Sequence, residues 1–234
     1  MPVNSFKWKH FAGEIILQTI RWYLKYSSSY RNLEEMMAER GVEVDHTTIM
    51  RWVHQYSPEM EKKVRRYLRP TNDSWRVDET YIKVKGKWKY FYRAVDSNGD
   101  TIDFMLSTKR NRKAAKKFFK KALSSNHNQI PRVITVDKNP AYPPSMDGLE
   151  NEKNLSKNVE IRQVKYLNNI IEQDHRSIKR IVNPMLGFQS FQSANKTLKG
   201  IEAMNMIKKG QVNDLNYSVL NEVKYINQLF GIVL

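Results

Sequence analysis

The chain has 234 residues, 40% of them apolar and none cysteine, and its 40 basic side chains against 24 acidic ones give a net charge of +16. That apolar fraction can build a packed core and excludes a disordered chain; the missing cysteines exclude disulfides, thiolate zinc sites and cysteine nucleophiles. The basic excess asks for a polyanionic partner, of which nucleic acid is the usual one. No apolar run reaches the ~18–20 residues of a membrane span, and Met1 to His10 lacks an apolar signal core, so the expectation is a soluble cytoplasmic protein with no membrane partner.

In chain order, a helical pattern through Ile15, Ile16, Thr19, Ile20, Tyr23 and Leu24 predicts a helix over 11–26. Ser29 stands as the N-cap of a second helix through Leu33, Met36 and Met37, which Gly41 ends. Asp45 caps a third, over 46–56. Two short helices joined by a tight glycine-bearing turn, with another helix in front, match the helix-turn-helix arrangement. In that geometry His46, Thr47, Thr48 and Arg51 face bases and phosphates, while Ile49, Trp52 and Val53 enter the core. A three-helix unit that binds nothing would show the same pattern; the charge of the chain favours the DNA-binding reading. Residues 59–68 read as a separate charged connecting helix, and 69–74 as a boundary rich in proline and small polar residues.

The texture then changes to β-branched and aromatic residues. Residues 75–84 read as a strand, 85–87 as a tight turn, 88–95 as a second strand, Ser97-Asn-Gly-Asp100 as a hairpin and 101–106 as a third strand. Lys109 to Lys121 holds eight basic residues and no acid. Within it Ala114, Ala115, Phe118, Phe119 and Ala122 form the apolar stripe of an amphipathic helix over 112–123. Its outward Lys113, Lys116, Lys117 and Lys120 contact phosphate or form an ordinary solvated face. Residues 132–137 form a short continuous apolar run, as a buried parallel strand does. A loop holding Pro140, Pro143 and Pro144 and a polar stretch lead to a short strand over 159–164. A helix from Tyr166 follows, with Ile170, Ile171, Ile178, Ile181 and Val182 on its buried side. The order implies a mixed sheet with covering helices.

Two acids sit where sheets place their chemistry. Asp78 lies mid-way along the first strand, on the face opposite Val77, Glu79 and Tyr81, so Glu79 is not expected to share a ligand with it. Asp137 ends the buried strand at its C-terminal edge, where α/β folds open their crevices. A third acid, Glu172, shares one side of its helix with His175, Arg176 and Lys179 at i, i+3, i+4 and i+7. That side is either a solvated face with ion pairs or a metal ligand beside groups that handle phosphate. If the first and fourth strands are neighbours, Asp78 and Asp137 converge and the helix lies across their edge. Three carboxylates without cysteine or clustered histidine prefer Mg²⁺ or Mn²⁺. Two such ions ~3.5–4 Å apart can assist in-line phosphodiester displacement.

Asp78 in Trp-Arg-Val-Asp-Glu-Thr-Tyr-Ile-Lys-Val-Lys-Gly, Asp137 in Ile-Thr-Val-Asp-Lys-Asn-Pro-Ala-Tyr and Glu172 in Asn-Asn-Ile-Ile-Glu-Gln-Asp-His-Arg-Ser-Ile-Lys together resemble the DDE motif of bacterial insertion-sequence transposases, the insertion sequence six family above all. Residues 138–171, thirty-four in number, separate the second and third acids, the spacing typical of that group and of retroviral integrases. Lys179 stands where the family carries a basic residue, and Ser190 to Glu202 resembles its next helix. The resemblance implies an α/β, RNase H-like catalytic fold of the retroviral integrase kind, preceded by an all-α helix-turn-helix domain. It implies cleavage at the element's ends, then attack of the exposed 3′-hydroxyl on target DNA. Asp78 would bridge two Mg²⁺ ions, Asp137 and Glu172 would each hold one, and Lys179, His175 and Arg176 would grip phosphate. Lys138 departs from the glutamine the family often has there. The implied partners are double-stranded DNA, as terminal inverted repeats and target, and a second copy of the chain to hold two ends. The expected division is 1–70, DNA-binding; 71–210, catalytic; and 211–234, a helical tail whose Leu220, Val223, Ile226, Leu229 and Phe230 serve packing or dimerisation. A catalytically silent DNA-binding repressor and a stand-alone nuclease are the alternatives.

Overall fold

The computed structural model describes residues 6, 9–137, 140, 142–151, 159–164 and 169–232. The chain forms two compact units, one from residues 69–177, the other from 1–68 together with 178–234.

The first unit is built on one five-stranded sheet. Its strands are β1 (Ser74–Val84), β2 (Lys87–Asp96), β3 (Thr101–Ser107), β4 (Val133–Val136) and β5 (Glu160–Gln163), in the spatial order β3-β2-β1-β4-β5. The first three are antiparallel neighbours, and β4 and β5 add on in parallel beside β1. This mixed topology is the RNase H-like one expected. Lys85 and Gly86, both at positive φ, make the two-residue hairpin turn whose twist matches the strands. The Asp96 carboxylate accepts from the Asn98 and Asp100 backbone N–H groups and so closes the next turn.

Helix α4 (Arg112–Leu123), N-capped by Asn111, lays Ala114, Ala115, Phe118, Phe119 and Ala122 on Trp75, Val77, Tyr92, Ala94, Ile134 and Val136, which form the core of this unit. Lys113, Lys117 and Lys120 are exposed and Lys116 is half-buried. The segment expected as a proline-rich loop is instead helix α5, Tyr142–Asn151. Pro143 and Pro144 fall in its first turn, where no backbone N–H is needed for the helical ladder. Helix α6, Asn169–Val182, buries Ile171, Ile178, Ile181 and Val182. Tyr166, where this helix was expected to start, and Lys138 lie outside the described residues.

The second unit is helical. Helices α1 (Gly13–Lys25) and α2 (Tyr30–Ala38) precede α3 (His46–Val64), and α7 (Phe191–Lys208) and α8 (Val219–Leu229) complete it. Ser29 caps α2 in a capping box with Asn32, and Asp45 caps α3 by accepting from Thr47 N–H at 2.8 Å. The link between α2 and α3 takes seven residues, 39–45, longer than the tight turn expected. Gly41, at φ +72°, ends α2, and Val44 is drawn into the core.

No separate connecting helix exists over 59–68. Helix α3 runs on through Pro58 to Val64, because Ile49, Val53, Tyr56, Met60 and Val64 make one continuous buried face. Helix α7 and the tail pack within this unit. At Gly200 of α7 an added Cβ would lie 2.6 Å from both Leu24 and Ser57, so α7 is pressed against α1 and α3. The tail joins the same unit, with Phe230 against Phe6 and Tyr56. Within α8 it is Glu222, bonded to Arg21 at 2.5 Å and Lys25 at 2.8 Å, that is buried, whereas Leu220 is exposed. No described helix is long and apolar enough to cross a membrane.

Candidate active site

The β1–β4 pairing ends at Val77 opposite Val136. One residue further, Asp78 and Asp137 stand side by side at the exit of the two strands. Their carboxylate oxygens lie within 4.8 Å of each other and of an oxygen of Glu79. The nearness of Glu79 corrects the expectation from strand alternation. Its side chain does leave the face opposite Asp78, yet one of its oxygens still comes near those of the two aspartates where the β1–β4 pairing ends.

Glu79 is buried and held by the Tyr142 hydroxyl and the Arg110 Nε, which both donate to it. Burial, together with the Asp137 charge, holds the Glu79 carboxyl above its ordinary range against the opposing pull of Tyr142 and Arg110. Burial, then the charges of Glu79, Asp78 and Asp137, lifts the Tyr142 hydroxyl well above its usual range. Arg110 also donates through Nη2 to Asp137 at 3.4 Å, so one guanidinium serves two of the acids.

On the other face of β1 the neighbours come from α6. His175 Nε2 lies 3.2 Å from Asp78 Oδ2 and its Nδ1 lies 3.5 Å from Arg93 Nη1. With Nε2 donating to the carboxylate, Nδ1 accepts from the guanidinium, which selects the neutral ring. Burial pulls His175 below its ordinary range despite the Asp78 bond. Arg93, fully buried, pairs with Asp174 at 2.5 Å. His175 is only 4% exposed, so it is not the surface phosphate contact expected; its face of α6 is turned against the sheet by these bonds.

Glu172 is exposed and lies outside the group of three mutually close carboxylates found among the described residues. Helix register puts it three residues before His175, about 4.5 Å along the axis. Arg176 and Lys179 are exposed. In the helical unit Arg51 is exposed, whereas His46 is ion-paired with Glu34 at 3.1 Å and with Asp45 at 3.3 Å, and Thr47 is tied to its own cap. That unit also holds a cavity of about 730 Å³ between Tyr23, Tyr30, Met50, His54, Leu186 and Phe188, with no acid in its lining; the clustered carboxylates lie in the sheet unit.

Sequence reading missed Arg93, Arg110, Tyr142 and Asp174. The signal available for Arg93 was a lone cation inside a strand, which demands a buried partner. Hard oxygen donors with neither thiolate nor a second imidazole fit a divalent cation of the Mg²⁺ or Mn²⁺ type. The bond from His175 to Asp78 orients the carboxylate as outer-shell partners do in metal sites. His175→Ala is therefore expected to lower activity about 10–100-fold and to raise the metal concentration needed for half-maximal activity. His175→Gln should recover part of both, and metal titrations of the three proteins check this.

A family model described as a DDE domain matches residues 72–211. A transposase for the insertion sequence-like element IS431mec of Staphylococcus aureus is 37% identical over 207 residues, spanning 88% of this chain and 90% of the relative. The transposase for insertion sequence element IS257 in transposon Tn4003, also from Staphylococcus aureus, matches with the same identity and coverage. Among solved structures, the HTLV-2 integrase catalytic core domain in complex with magnesium is similar with a TM-score of 0.44 and 18% identity, covering 63% of this chain and 90% of that one.

Proposed function

The chain belongs to the insertion sequence six family of DDE transposases, and from that premise we propose that Asp78, Asp137 and Glu172 are its catalytic carboxylates, holding two Mg²⁺ ions for which Mn²⁺ can substitute. As an insertion-sequence transposase it is an enzyme that binds DNA, depends on a divalent metal and works in an oligomeric assembly. The observation that carries the assignment is the meeting of Asp78 and Asp137 at the β1–β4 exit, with α6 tied to Asp78 through His175.

Bound there, divalent ions supply charge that activates an attacking oxygen and offsets the charge of a leaving one. The reaction is two successive in-line displacements at phosphorus. Water first breaks a phosphodiester and releases the 3′-hydroxyl at the element's end; that hydroxyl then attacks a target phosphodiester. Asp78 and Asp137 are set by the sheet, and Glu172 is brought on α6. Arg176 and Lys179 hold phosphate beside the cut, while exposed Lys113, Lys117 and Lys120 and half-buried Lys116 hold the backbone further along. Arg51, with Thr48, reads the terminal inverted repeats from the N-terminal part of α3. His46 and Thr47 contribute by orienting that helix start through Glu34 and Asp45. A dimer or larger assembly brings two ends together.

The test incubates the protein with labelled DNA carrying its element's terminal repeats and Mg²⁺. The expected products are 3′-end nicks and joined strands. End-specific binding without either would overturn the assignment in favour of a silent DNA-binding repressor.

A further inference from the structure

The outer half of the β1–β2 hairpin leaves the sheet. β4 accompanies β1 only as far as Val77, and β3 accompanies β2 only from Tyr90 onward. Beyond those limits the two strands continue as a ribbon, with Lys83 opposite Trp88; at its base Tyr81 stands opposite Tyr90, which still pairs with Ser107 of β3. Strand alternation puts these four on the same face as Glu79. Trp88 is 62% exposed and Tyr81 47% exposed. Their rings meet edge-on with centroids 6.4 Å apart, and Tyr90, half-buried against the core, backs Tyr81 with its ring 5.6 Å away.

Exposed aromatic clusters are costly to leave in water and ask for a partner. The charge around this one says which kind. From Thr80 to Val95 there is no acid; Lys83 shares the face of the rings, Lys85 lies in the turn, and Lys87 and Lys89 alternate to the other face of the ribbon. Four lysines on one short ribbon repel a second copy of the same ribbon and attract phosphate. Rings standing on a flat strand face offer π surfaces, and in duplex DNA the π faces of bases are hidden in the stack. Only unpaired bases can use them.

We infer that the exposed Tyr81 and Trp88 rings, backed by Tyr90, form a stacking platform for unpaired DNA bases, with Lys83 and Lys85 holding the strand's phosphates. The inference rests on the transposase reading for its choice of DNA and for the role of the platform. Trp88 stands opposite Lys83, five residues along β1 from Asp78, roughly 17 Å at strand spacing. A strand frayed from the duplex near the carboxylates is captured there and kept from re-pairing.

The experiment measures anisotropy of labelled oligothymidylate and of a labelled duplex of unrelated sequence, using the full chain in EDTA so that no cleavage alters the probes. Trp88→Ala is expected to weaken oligothymidylate binding about tenfold and duplex binding by less than about twofold. Trp88→Tyr, which keeps a stacking ring, should retain most of the affinity. Lys83→Gln with Lys85→Gln should flatten the logarithmic salt dependence on oligothymidylate by about 1.4. Equal losses on both probes, no loss with Trp88→Ala, or a change of sedimenting species in Trp88→Ala that marks the face as a protein contact would each overturn the inference. Because these readings need no metal, a wild-type chain that fails to join strands would overturn the transposase assignment while leaving the platform measurement intact.

Discussion

Asp78→Asn, Asp137→Asn and Glu172→Gln are each expected to lower strand joining by ~10³-fold or more, as loss of a group that supports transition-state charge does. The amides keep size and hydrogen-bonding capacity but lose the charge that a divalent ion requires. Binding to element ends should remain, since it draws on α3 and the basic faces. The folded state should remain too, because the Asp78 and Asp137 carboxylates are partly exposed and Glu172 is exposed. Glu79→Gln is the informative control. Its carboxylate shares the cluster with Asp78 and Asp137, yet it is already engaged by Tyr142 and Arg110. Joining retained in Glu172→Gln and lost in Glu79→Gln would reassign the third ligand to Glu79.

Arg93→Met is expected to destabilise the sheet unit by about 3–5 kcal/mol, the usual cost of removing one partner from a buried ion pair. Arg93 is opposite Asp78 in the β1–β2 register and reaches α6 through Asp174 and His175. Without it, the buried Asp174 carboxylate loses the guanidinium 2.5 Å away, and α6 loses a clamp to the sheet. Thermal melts should show Tm falling on the order of 10 °C. Arg93→Met combined with Asp174→Leu should recover much of the loss, since an apolar pair in place of a buried ion pair is often neutral. An unchanged Tm in the single variant would show that the pair contributes nothing. The same pair fixes α6 by charge on the face that also carries its apolar stripe.

Much of the architecture was legible from local chemistry. Strand periods, the Ser97-Asn-Gly-Asp100 turn, the Lys85-Gly86 turn and the Ser29 and Asp45 caps each act within a few residues, so the order of residues states them directly. The buried stripe of α4 was legible for the same reason. The three spaced acids could be found in order along the chain, but the meeting of two of them hung on the condition that β1 and β4 are neighbours, which the sheet order supplies. Where local rules failed, a neighbour distant in sequence decided. Pro143 and Pro144 suggested a loop, but they lie in a first helical turn. Residues 59–64 looked like a new helix, but the buried face of α3 runs through them. Leu220 fitted the apolar period of the tail, but Arg21 and Lys25 draw Glu222 inward instead.

The sequence by itself determined the chemistry available: carboxylates without thiolates, a basic surface and a hard-cation donor set, because composition and spacing are properties of the chain. Tertiary structure alone decided which acids meet and who holds them. Glu79 lies with Asp78 and Asp137 where the β1–β4 pairing ends; His175 turns inward to Asp78 and Arg93; and Arg110 reaches two acids from outside the strands. Each of these depends on where one element stops against another, a distance that no periodicity along the chain encodes.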